Sequence, residues 1–262
     1  DVAIVGGGLI GSWTALFLRR KGCSVVLLEK GAVGAQSSGV NYGNLRLQGR
    51  HPGQYPLSLR AHALWEELPA LIGESCEFAR SGHLYVALAG DQVAKMEATA
   101  HETAEHGVDV ELLDGNDARG RWPWLGPIVA GACWSARDAV ANPRLVTPAV
   151  ARAALALGAT IIENTRAVVI EPGHGRFRIT TDRDLAVDCG QVVNCAGAWG
   201  AEIAARFGEP VPLVAAGPPQ FVTEPVPVFI GPSVQAVDGT VIFRQVERGN
   251  VVVSGFPRGP SD

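Results

Sequence analysis

An apolar run, Val2-Ala3-Ile4-Val5, passes straight into Gly6-Gly7-Gly8-Leu9-Ile10-Gly11, and a helical pattern opens immediately behind it. In the pattern Gly-x-Gly-x-x-Gly, Gly6 allows the tight turn and Gly8 lets backbone approach a pyrophosphate. Gly11 lets the helix pack closely on the strand. The first turn of that helix offers unpaired N–H groups and the positive end of its dipole to phosphate oxygens. A second apolar run, Ser24-Val25-Val26-Leu27-Leu28, delivers Glu29 18 residues beyond Gly11. A carboxylate there can accept hydrogen bonds from a ribose diol. Strand, glycine turn, helix, strand and terminal acid together point to an adenine dinucleotide.

The rest of the chain suits that reading. Of 262 residues 32 are glycine and 18% are charged, as expected of a buried parallel sheet with many tight loops. The net charge of −4, without a basic cluster, leaves no nucleic-acid footprint. No apolar stretch is long enough to span a bilayer. Five cysteines at 23, 76, 133, 189 and 195 are odd in number and lack a Cys-x-x-Cys, so neither a metal site nor a disulfide framework is expected. That usage suggests a reducing, cytoplasmic setting. Asp1 abuts the first strand and the chain stops just past another, so a longer polypeptide is expected.

Periodicity and punctuation predict a helix over Leu9–Arg20, with Leu16 and Leu18 toward the sheet, and a glycine- and serine-rich loop over Gly31–Asn44. A helix follows over about 57–71, with Leu59, Ala63 and Leu64 among its apolar positions. A strand over 83–89, a helix over 91–106 and short strands near 110–113 and 131–134 come next. Asn142-Pro143 opens a helix to about residue 157. Strands over 160–163, 167–171, 177–181 and 191–195 lead into Ala196-Gly197-Ala198-Trp199 and another helix. Residues 210–232 are rich in proline and read as a crossing between domains, with one strand over 220–223. Strands over 240–245 and 250–254 close the chain. The expected architecture is α/β. A Rossmann-like dinucleotide-binding domain (1–80 and 143–210) has a parallel βαβ sheet. It is interleaved with an α+β substrate domain (81–142 and 211–262) containing an antiparallel sheet.

Four stretches resemble the FAD-dependent family of D-amino acid oxidase, glycine oxidase and sarcosine oxidase. They are the glycine turn with Glu29-Lys30; Gly34-Ala35-Gln36-Ser37-Ser38-Gly39-Val40-Asn41-Tyr42-Gly43; Asn44-Leu45-Arg46 through Tyr55-Pro56-Leu57 to Leu64-Trp65; and Val192-Val193-Asn194-Cys195-Ala196-Gly197-Ala198-Trp199. The resemblance implies FAD contacts at Gly6, Gly8, Leu9, Ile10, Gly11, Glu29, Lys30, Ser37, Ser38, Asn41, Gly43, Asn44, Leu45, Val168, Ala196, Gly197 and Trp199. It also implies oxidation of the C–N bond of a small amino acid or N-substituted amino acid (a D-amino acid, glycine, sarcosine or an opine) to an imine, with hydride passing to flavin N5. Such chemistry needs little acid–base machinery but an arginine to orient the substrate carboxylate. Arg46 aligns with the family arginine beside the flavin. Arg50 and Arg244 are candidates for the carboxylate anchor.

Simpler roles stand beside these. Arg46 could be a surface or phosphate-positioning residue, and Ser37 and Ser38 could only cap a turn. His51, His83 and His174 lack partner spacing and read as structural or solvated. Trp122 and Trp124 read as packing. Sarcosine oxidases carry a lysine on a late strand where an alignment through Gly255-Phe256 places Val253, which tilts the reading toward a dehydrogenase. Loose resemblance around Asn41–Leu47 to subunits of multi-subunit amine dehydrogenases implies partner chains carrying the electron acceptor, and association with a membrane through them stays open. The family also has a later segment that closes over the flavin and has no counterpart before residue 262. An NAD-linked dehydrogenase, or a non-catalytic or truncated FAD-binding subunit, remain the alternatives.

Overall fold

The computed structural model describes residues 1–214, 216–217, 219–255 and 259–260; Phe256, used in the alignment above, lies outside them. The chain divides into two units. The first comprises Asp1–Asn41, Leu68–Cys76 and Asn142–Val214, and the second Tyr42–Glu67, Glu77–Ala141 and Ala215–Asp262.

In the first unit four parallel strands run in the order Gln191–Asn194, Val2–Val5, Val25–Leu28, Thr160–Ile162. Val2–Val5 is buried along its whole length, which is why it reads as an unbroken apolar run. Its alternate residues serve opposite faces. Ala3 and Val5, with Leu28, pack against Ile170, Ile179 and Cys189 of a three-stranded antiparallel sheet. That sheet is formed by Ala167–Gly173, Arg176–Thr181 and Ala186–Cys189. Two helices, Leu9–Arg20 and Pro143–Ala156, pack against each other. The first buries Gly11, Ser12, Ala15 and Leu16, whereas Leu18, expected at the sheet, is only half-buried. Small residues at 11, 12 and 15 allow close approach, and that sets which face turns inward.

The second unit is built on a seven-stranded sheet in the order Gln220–Pro225, Asn250–Ser254, Ile242–Gln245, Ser233–Ala236, His83–Ala87, Gly131–Ser135, Glu111–Asp114. Every pairing is antiparallel except Ser233–Ala236 beside His83–Ala87. Leu84, Val86, Ala132, Val234 and Ala236 form its core, with Trp122 and Trp124 packed at the margin, in accord with their packing role.

Several elements depart from expectation. The helix expected over 57–71 is two, Tyr55–Glu66 and Leu68–Ile72. Pro69 has no N–H to continue the ladder and suits only the first turn of a new helix. Ala63, expected on the apolar face, is exposed, and the buried positions are Tyr55 and His62. The supposed loop over Gly31–Asn44 contains a helical turn at Ser37–Val40 and runs into a short strand, Asn44–Leu45, paired with Ala139–Val140. The helix Gly115–Arg121 and the strands Ala186–Cys189 and Ser233–Ala236 were not foreseen. The first is too short and polar to show a periodicity, although Asp114 caps it by accepting from the amides of Asn116 and Asp117 at 2.7 and 2.9 Å.

Candidate functional site

The glycine turn is held by backbone crowding. Gly6 has φ +110°, and a Cβ there would lie 2.2 Å from the Cys195 carbonyl oxygen. One at Gly11 would lie 1.9 Å from the Gly6 carbonyl. The helix that follows has Gly8 at its N-cap with no side-chain cap, and its first internal bond is Ser12 N–H to Gly8 O at 2.9 Å. The amides before it are therefore orphans of the helix end. One is engaged: Leu9 N–H donates to Ser38 Oγ at 2.8 Å. Ser38 Oγ also stands 3.0 Å from where a Cβ on Gly8 would be, so a side chain there would press on the hydroxyl.

Glu29 is 7% exposed at the end of its strand. Its Oε2 accepts from Gly7 N–H at 2.6 Å and its Oε1 from Gly31 N–H at 2.8 Å. These bonds fix the carboxylate and leave each oxygen a further lone pair for a ligand hydroxyl. Gly8, Glu29, Lys30, Ala167, Ala196 and Trp199 are among the residues lining one crevice of about 410 Å³ in this unit. Lys30 places its ammonium 2.9 Å above the Trp199 ring, a cation–π contact. Burial depresses its pKa, with Glu29 acting in the opposite direction.

Of the cofactor residues expected from the sequence, Gly6, Gly8, Leu9, Ile10, Glu29, Lys30, Ser37, Ser38, Ala196, Gly197 and Trp199 line this crevice. Gly11, Asn41 and Val168 are not among its lining residues. Gly11 meets the turn from behind. Asn41 Nδ2 donates to the carbonyls of Ser37 and Ser38 at 3.1 and 2.7 Å. The Val168 carbonyl accepts from Arg206 Nη1 at 2.6 Å. Sequence reasoning missed Gln36, Arg166, Glu202, Ile203 and Arg206, which also line the crevice. Trp199, Glu202, Ile203 and Arg206 fall at helical spacing, the one signal that could have grouped them.

Gly43, Asn44, Leu45, Arg46, Arg50 and Arg244 belong to the second unit. Arg46 donates to Gln235 Oε1 at 3.0 Å, and its carbonyl accepts from Arg50 Nε at 2.8 Å. Burial and then the Arg50 charge lower the Arg46 pKa, with Asp138 opposing. None of the ion pairs among the described residues involves Arg46, Arg50 or Arg244. The Leu45 carbonyl is 2.6 Å from His62 Nε2, and Asn44 Oδ1 is buried with no hydrogen-bond partner. Arg244 is 7% exposed and spends Nε on the Tyr42 carbonyl at 2.7 Å and Nη2 on the Ala141 carbonyl at 3.5 Å. Its guanidinium also lies 5.9 Å from the Tyr42 ring. Tyr42 donates its hydroxyl proton to the Val252 carbonyl at 3.2 Å, and burial raises its pKa.

His51 Nδ1 accepts from Gly53 N–H at 3.3 Å, His174 is exposed at a turn with φ +51°, and His83 is buried against Gln48. Among the described residues no group of three or more His, Cys, Asp or Glu could hold a metal ion, and all five cysteines are free. No described helix is long and apolar enough to cross a membrane.

These parts suit one elongated ligand. Free amides at a helix end can accept a phosphate and a fixed carboxylate can accept bonds from a sugar diol, and Gly8, Ser38, Glu29, Ala167 and Trp199 line the same crevice. The sequence model of the FAD dependent oxidoreductase family matches residues 1–262. The chain is 31% identical to glycine oxidase of Geobacillus kaustophilus, over 79% of this chain and 57% of that protein. It superposes on a crystal structure of glycine oxidase from that organism with a TM-score of 0.88 and 25% identity, over 100% of this chain and 72% of that one. A subunit of the opine oxidase of Rhizobium meliloti is 29% identical, over 81% of this chain and 60% of that protein. The mitochondrial pyruvate dehydrogenase phosphatase regulatory subunit of Mus musculus is 26% identical, over 99% and 30%. The chain therefore spans less than two thirds of the length of each of these curated relatives.

Proposed function

The chain belongs to the FAD dependent oxidoreductase family, and from that premise we propose that it oxidises the C–N bond of a small amino acid or N-substituted amino acid to an imine, which water then hydrolyses. The observation that carries this reading is the meeting of the glycine turn, Glu29 and Ala196–Trp199 around one crevice. The similarity to glycine oxidase supports the substrate class.

FAD, when bound, supplies the hydride acceptor. The chain's own residues hold and orient. The amides at the start of Leu9–Arg20, with the Ser38 hydroxyl, are assigned to the pyrophosphate, since fixed donors at a helix end favour an anion. Glu29 is assigned to the adenosine ribose, and Lys30, Ala167 and Trp199 to the adenine end. Arg46 and Arg50 are assigned to the substrate's carboxylate. A guanidinium taken out of water without a carboxylate partner has an unmet electrostatic demand that a carboxylate ligand satisfies, bidentately where geometry allows. Arg244 has spent two of its donors on backbone carbonyls and is assigned to holding its unit together.

The similarity to two proteins named as subunits favours a second reading, in which the chain holds FAD within an assembly and passes electrons to a partner chain or turns over nothing itself. Loading the purified protein with FAD and mixing it anaerobically with a panel of amino and N-methylamino acids separates the readings. Bleaching of the flavin band near about 450 nm by one of them is the expected result. A flavin-loaded protein that no panel member reduces rejects the enzymatic reading, and a protein that takes up NAD but not FAD rejects the cofactor.

A further inference from the structure

The segment carrying Arg46 and Arg50 is threaded through the interior of its own unit: Leu47 is 0% and Gln48 1% exposed. Asp138 holds it from one side. Its Oδ1 accepts from Leu47 N–H at 2.5 Å, and Gln48 N–H lies 3.4 Å from each carboxylate oxygen. The Ser135 hydroxyl donates to Oδ2, and the Asp138 carbonyl accepts from Gly82 N–H at 2.8 Å. From the other side Gln48 Nε2 donates to the Cys133 carbonyl at 3.2 Å, and Gln48 Oε1 is 2.8 Å from His83 Nδ1. His83 and Ser135 are register partners on adjacent antiparallel strands. Asp138, just past the strand Gly131–Ser135, and the adjacent strands carrying His83 and Cys133 thus hold two consecutive residues of an irregular segment.

The charge arithmetic is unusual. Asp138 is a fully buried carboxylate whose capacity is taken up by N–H and O–H donors, with no ion pair to either arginine. Arg46 and Arg50 are close enough for each charge to act on the other's surroundings and on His83. The grip fixes the backbone between two cations without forming an ion pair to either, although the Asp138 charge acts on Arg46.

We propose that Asp138 is the positioning residue of this segment, holding Leu47 and Gln48 so that Arg46 and Arg50 meet a substrate carboxylate without reordering. The inference rests on the assignment of those arginines made above. Order present before binding saves the entropy of creating it on binding, so loosening the grip weakens carboxylate affinity rather than abolishing it.

The test uses FAD-loaded protein and acetate as the probe, with affinity read from the acetate-induced change in the flavin visible spectrum and ADP binding measured in parallel. Asp138→Asn, which places an N–H donor or a weaker acceptor against Leu47 N–H, is expected to weaken acetate about tenfold. Ser135→Ala is expected to weaken it about threefold, and ADP affinity stays at the parent value in both. Acetate affinity within about twofold of the parent in Asp138→Asn overturns the inference, as does a parallel loss of ADP affinity in both variants. If Asp138→Asn does not fold, Ser135→Ala decides by the same criteria. Arg46→Met separates the levels. If it leaves acetate binding intact, the assignment of Arg46 fails and the inference with it. If it abolishes binding while Asp138→Asn does not weaken it, the inference alone fails.

Discussion

Acidification from pH 7 to pH 4.5 should destabilise this protein through His83 by an amount its burial sets. The ring is 0% exposed. Gln48 Nε2 is spent on the Cys133 carbonyl, so Gln48 Oε1 faces His83 and requires a proton on Nδ1. The other nitrogen, Nε2, is buried with no partner. A second proton there would be an unpaired buried charge beside two guanidinium groups. Burial, and then Arg46 and Arg50, accordingly push the pKa down to about 3. An unfolded chain titrates this ring near pH ~6.5. Between those values the unfolded state binds a proton that the folded state refuses, so stability falls as pH falls through the window. The full contribution is present only above the unfolded value. At pH 4.5 the linkage amounts to about 2.5 kcal/mol relative to pH 7. Carboxylates elsewhere also titrate, so the quantity to measure is a difference. Urea unfolding followed by tryptophan fluorescence, for the parent and for His83→Gln at both pH values, isolates it. Glutamine can still donate to Gln48 and has no proton to gain. The variant should lose about 2.5 kcal/mol less than the parent on acidification. Equal losses in the two proteins would refute the claim that His83 is buried uncharged.

Two further outcomes follow from local geometry. Gly6→Ala forces a Cβ into the Cys195 carbonyl at a φ that L-residues avoid, so it should cost at least about 3 kcal/mol and abolish ADP binding measured by calorimetry; an unchanged thermal midpoint would contradict this. Asn142→Ala removes the side chain that accepts from Arg144 N–H at 3.0 Å at the start of Pro143–Ala156, and should lower unfolding free energy by about 1 kcal/mol in urea titrations without changing the m-value.

What could be seen in advance was what a residue does to its own neighbourhood. Gly6 and Gly11 announce themselves because backbone crowding demands glycine within a few residues. Glu29 does so because a strand of fixed length delivers it. Leu9–Arg20 and Pro143–Ala156 carry both periodicity and punctuation. The hidden part was relational. Leu47 and Gln48 look like an apolar–polar pair in a loop, and nothing near them points to Asp138, some ninety positions away. Arg206 reads as a polar helix end until the Val168 carbonyl is found beneath it. Arg244 reads from the sequence as a candidate carboxylate anchor, and only its tertiary partners, the Tyr42 and Ala141 carbonyls, show where two of its donors go. Ser233–Ala236 follows directly on the proline-rich stretch, and only its pairing with His83–Ala87 marks it as a strand. Tertiary partners override local propensity where the local signal is weak.

The strand order of the first unit has a consequence during synthesis. Val2–Val5 sits between Val25–Leu28, made directly after it, and Gln191–Asn194, about 190 residues later. At translation rates of about 5–20 residues per second, the opening strand emerges roughly 10–40 s before its second neighbour exists. For that interval one edge of an all-apolar strand has nothing to pair with. The nascent chain is then a client for whatever shields sticky edges at the ribosome, and slowing translation between residues 30 and 190 should lower the soluble yield.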